Sequence, residues 1–260
     1  MRRLSFALAL VLAFSLSAHA QFEGEIHTKI TTPDGTGTGT LYLSKVGVRN
    51  EMDIKSPRLK EISSGTFAMI TLHKIAEPDV VYHVNPTRKT YSVINLKKIR
   101  TRTKGLDKED YTIKRLGSDT VAGYACEHVL ITSRRNEETE MCIAQGIAGA
   151  SEWLATMEQS SPVKDRMMTA LKEAGITGFP VKVVTREKGQ QSPEMTMEVV
   201  QVNEKALPAS LFTVPGDYKQ ENVISSFMTP EMEKKMQDAM KKLTPDQRKM
   251  YEQMMEQMGR

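Results

Sequence analysis

Apolar and polar positions alternate with a period of two through the first third of the chain. Phe22 to Thr31, Thr38 to Val46, Val48 to Ile54, Ala68 to Lys74, Val80 to Val84 and Thr90 to Ile94 each read as a short strand with one buried face. The connections carry turn chemistry: Pro33-Asp34-Gly35, Lys45-Val46-Gly47, Glu77-Pro78-Asp79 and Asn85-Pro86-Thr87. Proline presets φ, glycine tolerates positive φ, and Asn or Asp hydrogen-bonds its own backbone. Gaps this short favour antiparallel pairing, because a parallel crossover needs a dozen or more residues. The pattern predicts a meander.

From Asn95 to Asp110 the alternation stops and Lys97, Lys98, Arg100, Arg102 and Lys104 follow in quick succession, which predicts an exposed loop able to meet anionic headgroups or an acidic partner. Tyr124 to Thr132 and Thr139 to Ile143 then read as a hairpin. The apolar period next lengthens to about three and a half. Ile147 to Gln159, with Trp153, Leu154 and Met157, and Val163 to Ala174, with Met167, Met168 and Leu171, predict a helical pair broken at Ser160-Ser161-Pro162. Strands resume at Phe179 to Glu187 and Met195 to Val202, and Leu211 to Pro215 closes the body.

The tail differs from everything before it. Thr229-Pro230-Glu231 and Thr244-Pro245-Asp246-Gln247 are two helix starts, each a capping threonine followed by proline in the first turn. Helical spacing puts Met228, Met232, Met236, Met240 and Leu243 on one face of the first helix, and Met250, Met254 and Met258 on one face of the second. The organisation expected is a leader over 1–20, a body over 21–218 with a helical insertion at 147–174, and a linker with an amphipathic tail over 219–260. The fold class is α+β.

The leader reading rests on Arg2 and Arg3, the apolar run Leu4 to Leu16, and Ala18-His19-Ala20, which together form the pattern of a cleavable export signal. The run is too short to span a bilayer, and no later segment approaches that length. Removal of the leader lowers the formal charge from +4 to +2, too balanced for nucleic acid. The expected location is the periplasm, with secretion into the medium also open. In an oxidising compartment Cys126 and Cys142, the two cysteines of the chain, read first as a disulfide across the hairpin. A redox-active pair is the alternative, without the C-x-x-C spacing that usually marks one.

No nucleophile elbow, zinc helix, phosphate loop or dinucleotide fingerprint is present, and His27, His73, His83 and His128 stand singly in strands. A non-enzymatic protein without a cofactor is expected. Seventeen methionines are many for such a chain, and eight of them lie from Met228 onward. A methionine stripe is first a packing face, then an adaptable surface for a variable partner. Thioethers also bind Cu(I), which Met195-Thr196-Met197 keeps open as a third reading.

Phe22-Glu23-Gly24, Val48-Arg49-Asn50-Glu51, Arg88-Lys89-Thr90-Tyr91, Val121-Ala122-Gly123-Tyr124-Ala125-Cys126 and Leu211-Phe212-Thr213-Val214-Pro215 follow one another in an order that resembles a family of exported bacterial domains, domain of unknown function 4412. Its general look is close to the LolA and LolB lipoprotein carriers. The resemblance covers residues 21–218 and implies a curved antiparallel sheet, a half-barrel wrapped around helices, with an apolar groove suited to acyl chains or a hydrophobic peptide. Trp153, Leu154, Met157, Met167 and Leu171 are the candidate groove residues. Two functions are expected from this: a periplasmic binder or carrier of a lipid-like ligand, or an envelope interaction or stress-sensing module that meets another protein through its Met-rich tail.

Overall fold

The computed structural model describes residues 22–57, 66–103, 110–134, 137–147, 162–226, 230–247 and 249–250. The strands are β1 (Gly24–Thr32), β2 (Gly35–Ser44), β3 (Gly47–Lys55), β4 (Thr66–Lys74), β5 (Val80–Asn85), β6 (Thr90–Asn95), β7 (Tyr111–Val121), β8 (Tyr124–Ser133), β9 (Glu137–Ala144), β10 (Phe179–Glu187), β11 (Met195–Glu204) and the two-residue β12 (Lys219–Gln220). Four helices accompany them: α1 (Leu96–Thr103), α2 (Pro162–Glu173), α3 (Val223–Ser226) and α4 (Pro230–Lys241).

All twelve strands form one curved, open sheet in the order β12-β6-β5-β4-β3-β2-β1-β11-β10-β9-β8-β7. Two antiparallel runs, β1 to β6 and β7 to β11, meet where β1 pairs with β11. Among the described strands only β12 is parallel, beside β6.

Curvature has a local cause in β2, which reads Gly35-Thr36-Gly37-Thr38-Gly39. A β-carbon at Gly35 or Gly37 would collide with the carbonyl oxygen of Lys55 or Asp53 on β3, so the two backbones approach more closely there than any side chain permits. Three bulges, in the β1–β11, β9–β10 and β7–β8 ladders, add local twist.

Two apolar clusters hold the sheet. One joins Phe22, Ile26, Leu41, Leu43 and Val48 to Val121, Cys126, Ala144, Phe179, Val181 and Val199, so residues from both runs share it. Ile26, Ala144 and Val181 in it are 0% exposed. The second packs Met168 and Leu171 of α2, and Ile176 beyond it, on Val129, Ile131, Met141, Ile143 and Val183. Cys126 and Cys142 are bonded in the first cluster, with their Cα atoms 5.3 Å apart.

One expectation changes, and the structure adds two elements that the pattern does not announce. The Asn95–Asp110 segment is not a loop at its start: α1 forms because Asn95 Oδ1 accepts the Lys98 N–H and because Leu96 and Ile99 turn inward at helical spacing, which sends Lys97 and Lys98 to solvent. β7 escapes the alternation test because as an edge strand it is exposed on both faces along most of its length. Leu211 to Pro215, which closes the body, is the end of a 3-10 turn, Ala209–Phe212, and the extended chain after it. The first expected helix of the insertion lies outside the described residues beyond Ile147.

Gly37→Val tests the close approach. The variant is expected to lose about 1–3 kcal/mol in urea unfolding through overpacking against β3. Thr38→Val, on an exposed position of the same strand, should stay within about 0.5 kcal/mol of the parent.

Candidate functional site

In an antiparallel ladder, directly paired residues share a face, so the register assigns the faces of the sheet. One row runs Ile54, Gly37, Ile30, Met197, Val183, Met141, Val129 across seven strands, from β3 to β8. The neighbouring row is Met69, Met52, Gly39, Thr28, Val199. The next, Val202, Ile26, Leu41, Asn50, Thr71, His83, Ser92, is apolar at the centre of the sheet and polar toward β6. This is the inner face, the one that α2 covers at the β7–β9 end. Met52, Ile54 and Met69 on β3 and β4 are half-buried and belong to neither cluster.

The methionines of the body concentrate here. Met52 sits directly opposite Met69, Met197 lies between Ile30 and Val183, and Met141 pairs with both Val129 and Val183. Met167 and Met197 pack at the margin of the second cluster. Sequence reasoning singles out Met195 and Met197 because they are two residues apart, and misses Met52 and Met69 because only the β3–β4 register unites them.

The residues expected to line a groove fall differently. Leu171 is 1% exposed and its side chain is spent on the core. Met167 is half-buried beside it. Trp153, Leu154 and Met157 lie outside the described residues, as do Met228, Met254 and Met258 of the tail. In the tail, Met236, Met240 and Leu243 are half-buried while Lys234, Lys235, Gln237, Asp238, Lys241 and Lys242 are exposed. Met232 is within α4, and Met250 is 69% exposed. Thr244 and Gln247 make the reciprocal cap of the next helix start, with Thr244 N–H donating to Gln247 Oε1 at 3.0 Å.

The opposite face of β3 and β4 is covered by the chain itself, which then runs along the edge of β6, and the motifs quoted above build this cover. Lys205 N–H donates to the Glu23 carbonyl and Leu207 N–H to Glu23 Oε1, both at 3.0 Å. Arg49 bonds Glu51 at 2.6 Å and donates to the Leu211 carbonyl at 3.1 Å, which seats Phe212, 2% exposed, against Gly47. Arg88 then donates to Glu221 Oε2 and to the Ser225 carbonyl, both at 3.1 Å; Thr90 donates to Glu221 Oε1 at 2.7 Å; and Lys89 reaches Asp217 at 2.8 Å. Four of the five motifs thus form one clasp on residues 205–225. The fifth makes the β7–β8 turn, where Ala122 (φ 50°) and Gly123 (φ 83°) adopt the left-handed pair of a two-residue hairpin, and it delivers Cys126 to its partner.

The histidines are scattered among separate partners. His27 lies 3.3 Å from Glu25 and 3.2 Å from Thr40 Oγ1, His73 is 3.1 Å from the Pro78 carbonyl, and His128 is 3.3 Å from Glu140. Burial alone pushes His83 below the usual imidazole range. Among the described residues, no three of His, Cys, Asp and Glu gather as metal ligands do. Nor is any described helix long and apolar enough to cross a membrane.

An open, curved antiparallel sheet with an apolar inner face and a strap across part of the other defines a half-barrel class of scaffold. The chain belongs to the family called domain of unknown function (DUF4412), whose model matches residues 22–218. No curated protein matches it. Solved structures with a similar sheet include an uncharacterized conserved protein from Thermus thermophilus, 10% identical, TM-score 0.44, covering 76% of this chain and 90% of that one. The MucA/MucB complex of Pseudomonas aeruginosa matches at 12% identity and TM-score 0.42, over 78% and 59% of the two chains. A LolA superfamily protein from Nitrosomonas europaea matches at 8% identity and TM-score 0.31, over 75% and 91%.

The clasp has an electrostatic signature. The Lys205 ammonium, 2.7 Å from Glu25, holds that carboxyl below its usual range, with His27 adding to the effect. A lowered carboxylate pKa contributes stability that is present above the unfolded value and lost as pH falls through the folded one. Glu25→Gln should therefore cost at most about 1 kcal/mol at pH 7, since Lys205 is half exposed. Denaturant curves of parent and variant should converge as pH drops through the acid range.

Proposed function

We propose that the protein is a non-enzymatic, exported binding or carrier protein, and that its inner face between β1 and β4 takes a lipid-like hydrophobic ligand. The observation that carries this reading is the apolar row across seven strands, with Met52, Ile54 and Met69 half-buried at the end away from α2. Ligand sites are mostly apolar with a few polar groups at one end, and here Asn50 and Thr71 stand beside the methionines. Unbranched thioether side chains adapt to chains of varied shape, which suits a carrier of related lipids better than a rigid Leu or Ile surface does.

Export is supported by the leader pattern over residues 1–20 and by the Cys126–Cys142 bond, which a reducing cytoplasm does not sustain. On an apolar face of this type the binding energy comes from area removed from water, about 25 cal/mol per Å². A charge placed in it must be desolvated or must expel the ligand.

Titration with a fluorescent fatty acid tests the reading. Met52→Lys and Met69→Lys are each expected to weaken binding at least about tenfold, or 1.4 kcal/mol, whereas Thr38→Lys, on the other face, should bind as the parent does. Saturable binding that both inner-face variants retain in full, with their folds intact, contradicts the proposal. So does the absence of binding by the parent protein.

A further inference from the structure

Three segments meet at one end of the sheet. The β2–β3 turn carries Lys45 and Val46, the β4–β5 turn runs from Ile75 to Asp79, and α1 starts at Leu96. Backbone hydrogen bonds tie them together: Ile75 N–H donates to the Val46 carbonyl at 3.1 Å, and Leu96 N–H donates to the Asp79 carbonyl at 2.9 Å. This end is therefore one continuous surface.

Its composition is unusual for turns. Val46 is 39% exposed and Ile75 43% exposed, so two large aliphatic side chains stand at tips where polar residues are the rule. Cations surround them. Lys45, Lys97 and Lys98 are exposed, and α1 has no acidic residue in its sequence Leu-Lys-Lys-Ile-Arg-Thr-Arg-Thr. The acids on these three segments are Glu77 and Asp79. Glu77 is engaged with Lys74 at 3.0 Å and with the Tyr82 hydroxyl at 2.5 Å, and Lys74 lies 4.6 Å over the Tyr82 ring, so this trio is internally balanced. Asp79 is half-buried. What remains facing outward is aliphatic and positive.

We propose that this end of the sheet docks on an anionic lipid bilayer, with Val46 and Ile75 entering the interface and Lys45, Lys97 and Lys98 facing the headgroup phosphates. A bilayer fits better than a protein partner for two reasons. The two apolar side chains stand exposed at turns rather than on a helix or strand face, and apolar tips of this kind sink into an acyl boundary. The lysines are dispersed point charges, two of them on a helix whose apolar residues, Leu96 and Ile99, face the protein, which matches a diffuse negative surface rather than a fixed set of carboxylates. Docking here presents the row Val48, His73, Val81, Ile94 of the inner face to the membrane side. The surface and the ligand site are separate, so each can fail without the other.

The test is vesicle flotation of protein recovered from the bacterial envelope, with phosphatidylglycerol–phosphatidylcholine vesicles compared with phosphatidylcholine alone. Binding is expected only to the anionic vesicles. It should fall several-fold when salt rises to about 0.5 M, where the screening length shrinks to a few ångströms. Lys97→Glu with Lys98→Glu should abolish flotation, and Val46→Ser with Ile75→Ser should reduce it about tenfold. Both double variants should keep the parent circular dichroism and the parent affinity for the fluorescent fatty acid. Equal flotation with both vesicle types overturns the proposal, as does flotation that both folded double variants retain. Capture on a polyglutamate column with vesicles left bare also overturns it, in favour of an acidic protein partner.

Discussion

The two runs of strands are joined through β1, which hydrogen-bonds β2 along one edge and β11 along the other. Without that strand the sheet is two separate ladders, and the first cluster loses Ile26. The constraint is one of register as much as of pairing. Side chains alternate faces, so a slip of one residue on β1 would send Ile26 and Ile30 outward and His27 and Lys29 inward, interrupting every row of the inner face. The partner on the β11 side lies near the far end of the body, Gly24 opposite Glu204 and Thr31 opposite Thr196. β1 can be completed only after nearly all of the body is available, a high-contact-order arrangement of the kind that folds slowly.

The cover follows from the same geometry. After β11 the chain leaves beside Glu23, crosses the back of β3 and β4 where Arg49 fastens it, and pairs along the edge of β6, where Arg88, Lys89 and Thr90 hold it. The family's signature residues are thus chiefly fasteners. They bury Phe212, while α2 covers the inner face at its far end and His83 and Ser92, at the β5–β6 end of that face, are buried as well. Met52, Ile54 and Met69, at the end of their rows away from α2, are half-buried while Met141 and Met168 are buried.

Period-two alternation is enough to read β1 to β6 and β8 to β11, because each has one face in an apolar cluster or row. β7 is not legible, since an edge strand exposed along most of its length has no alternation to read. α1 is hidden by its charge: five cations between Lys97 and Lys104 conceal the Leu96 and Ile99 spacing that seats it. The disulfide is legible from cysteine count and hairpin position. The candidate site is not, because the Met52–Met69 pair exists only in the register between strands, and no spacing along the chain encodes it. The motif residues can be recognised in order, but their partners, at sequence separations of 133 for Arg88 with Glu221 and 162 for Arg49 with Leu211, cannot.

The central claim is that the inner face is built to hold a hydrophobic molecule. The most direct measurement is native mass spectrometry of protein isolated gently from the envelope, without delipidating detergent. The account predicts an added mass in the lipid range that organic extraction removes and that Met52→Lys and Met69→Lys reduce. A bare chain whose only departure from the sequence mass is the leader cleavage and the two hydrogens lost at Cys126–Cys142, or an adduct that both inner-face variants keep in full, would contradict it.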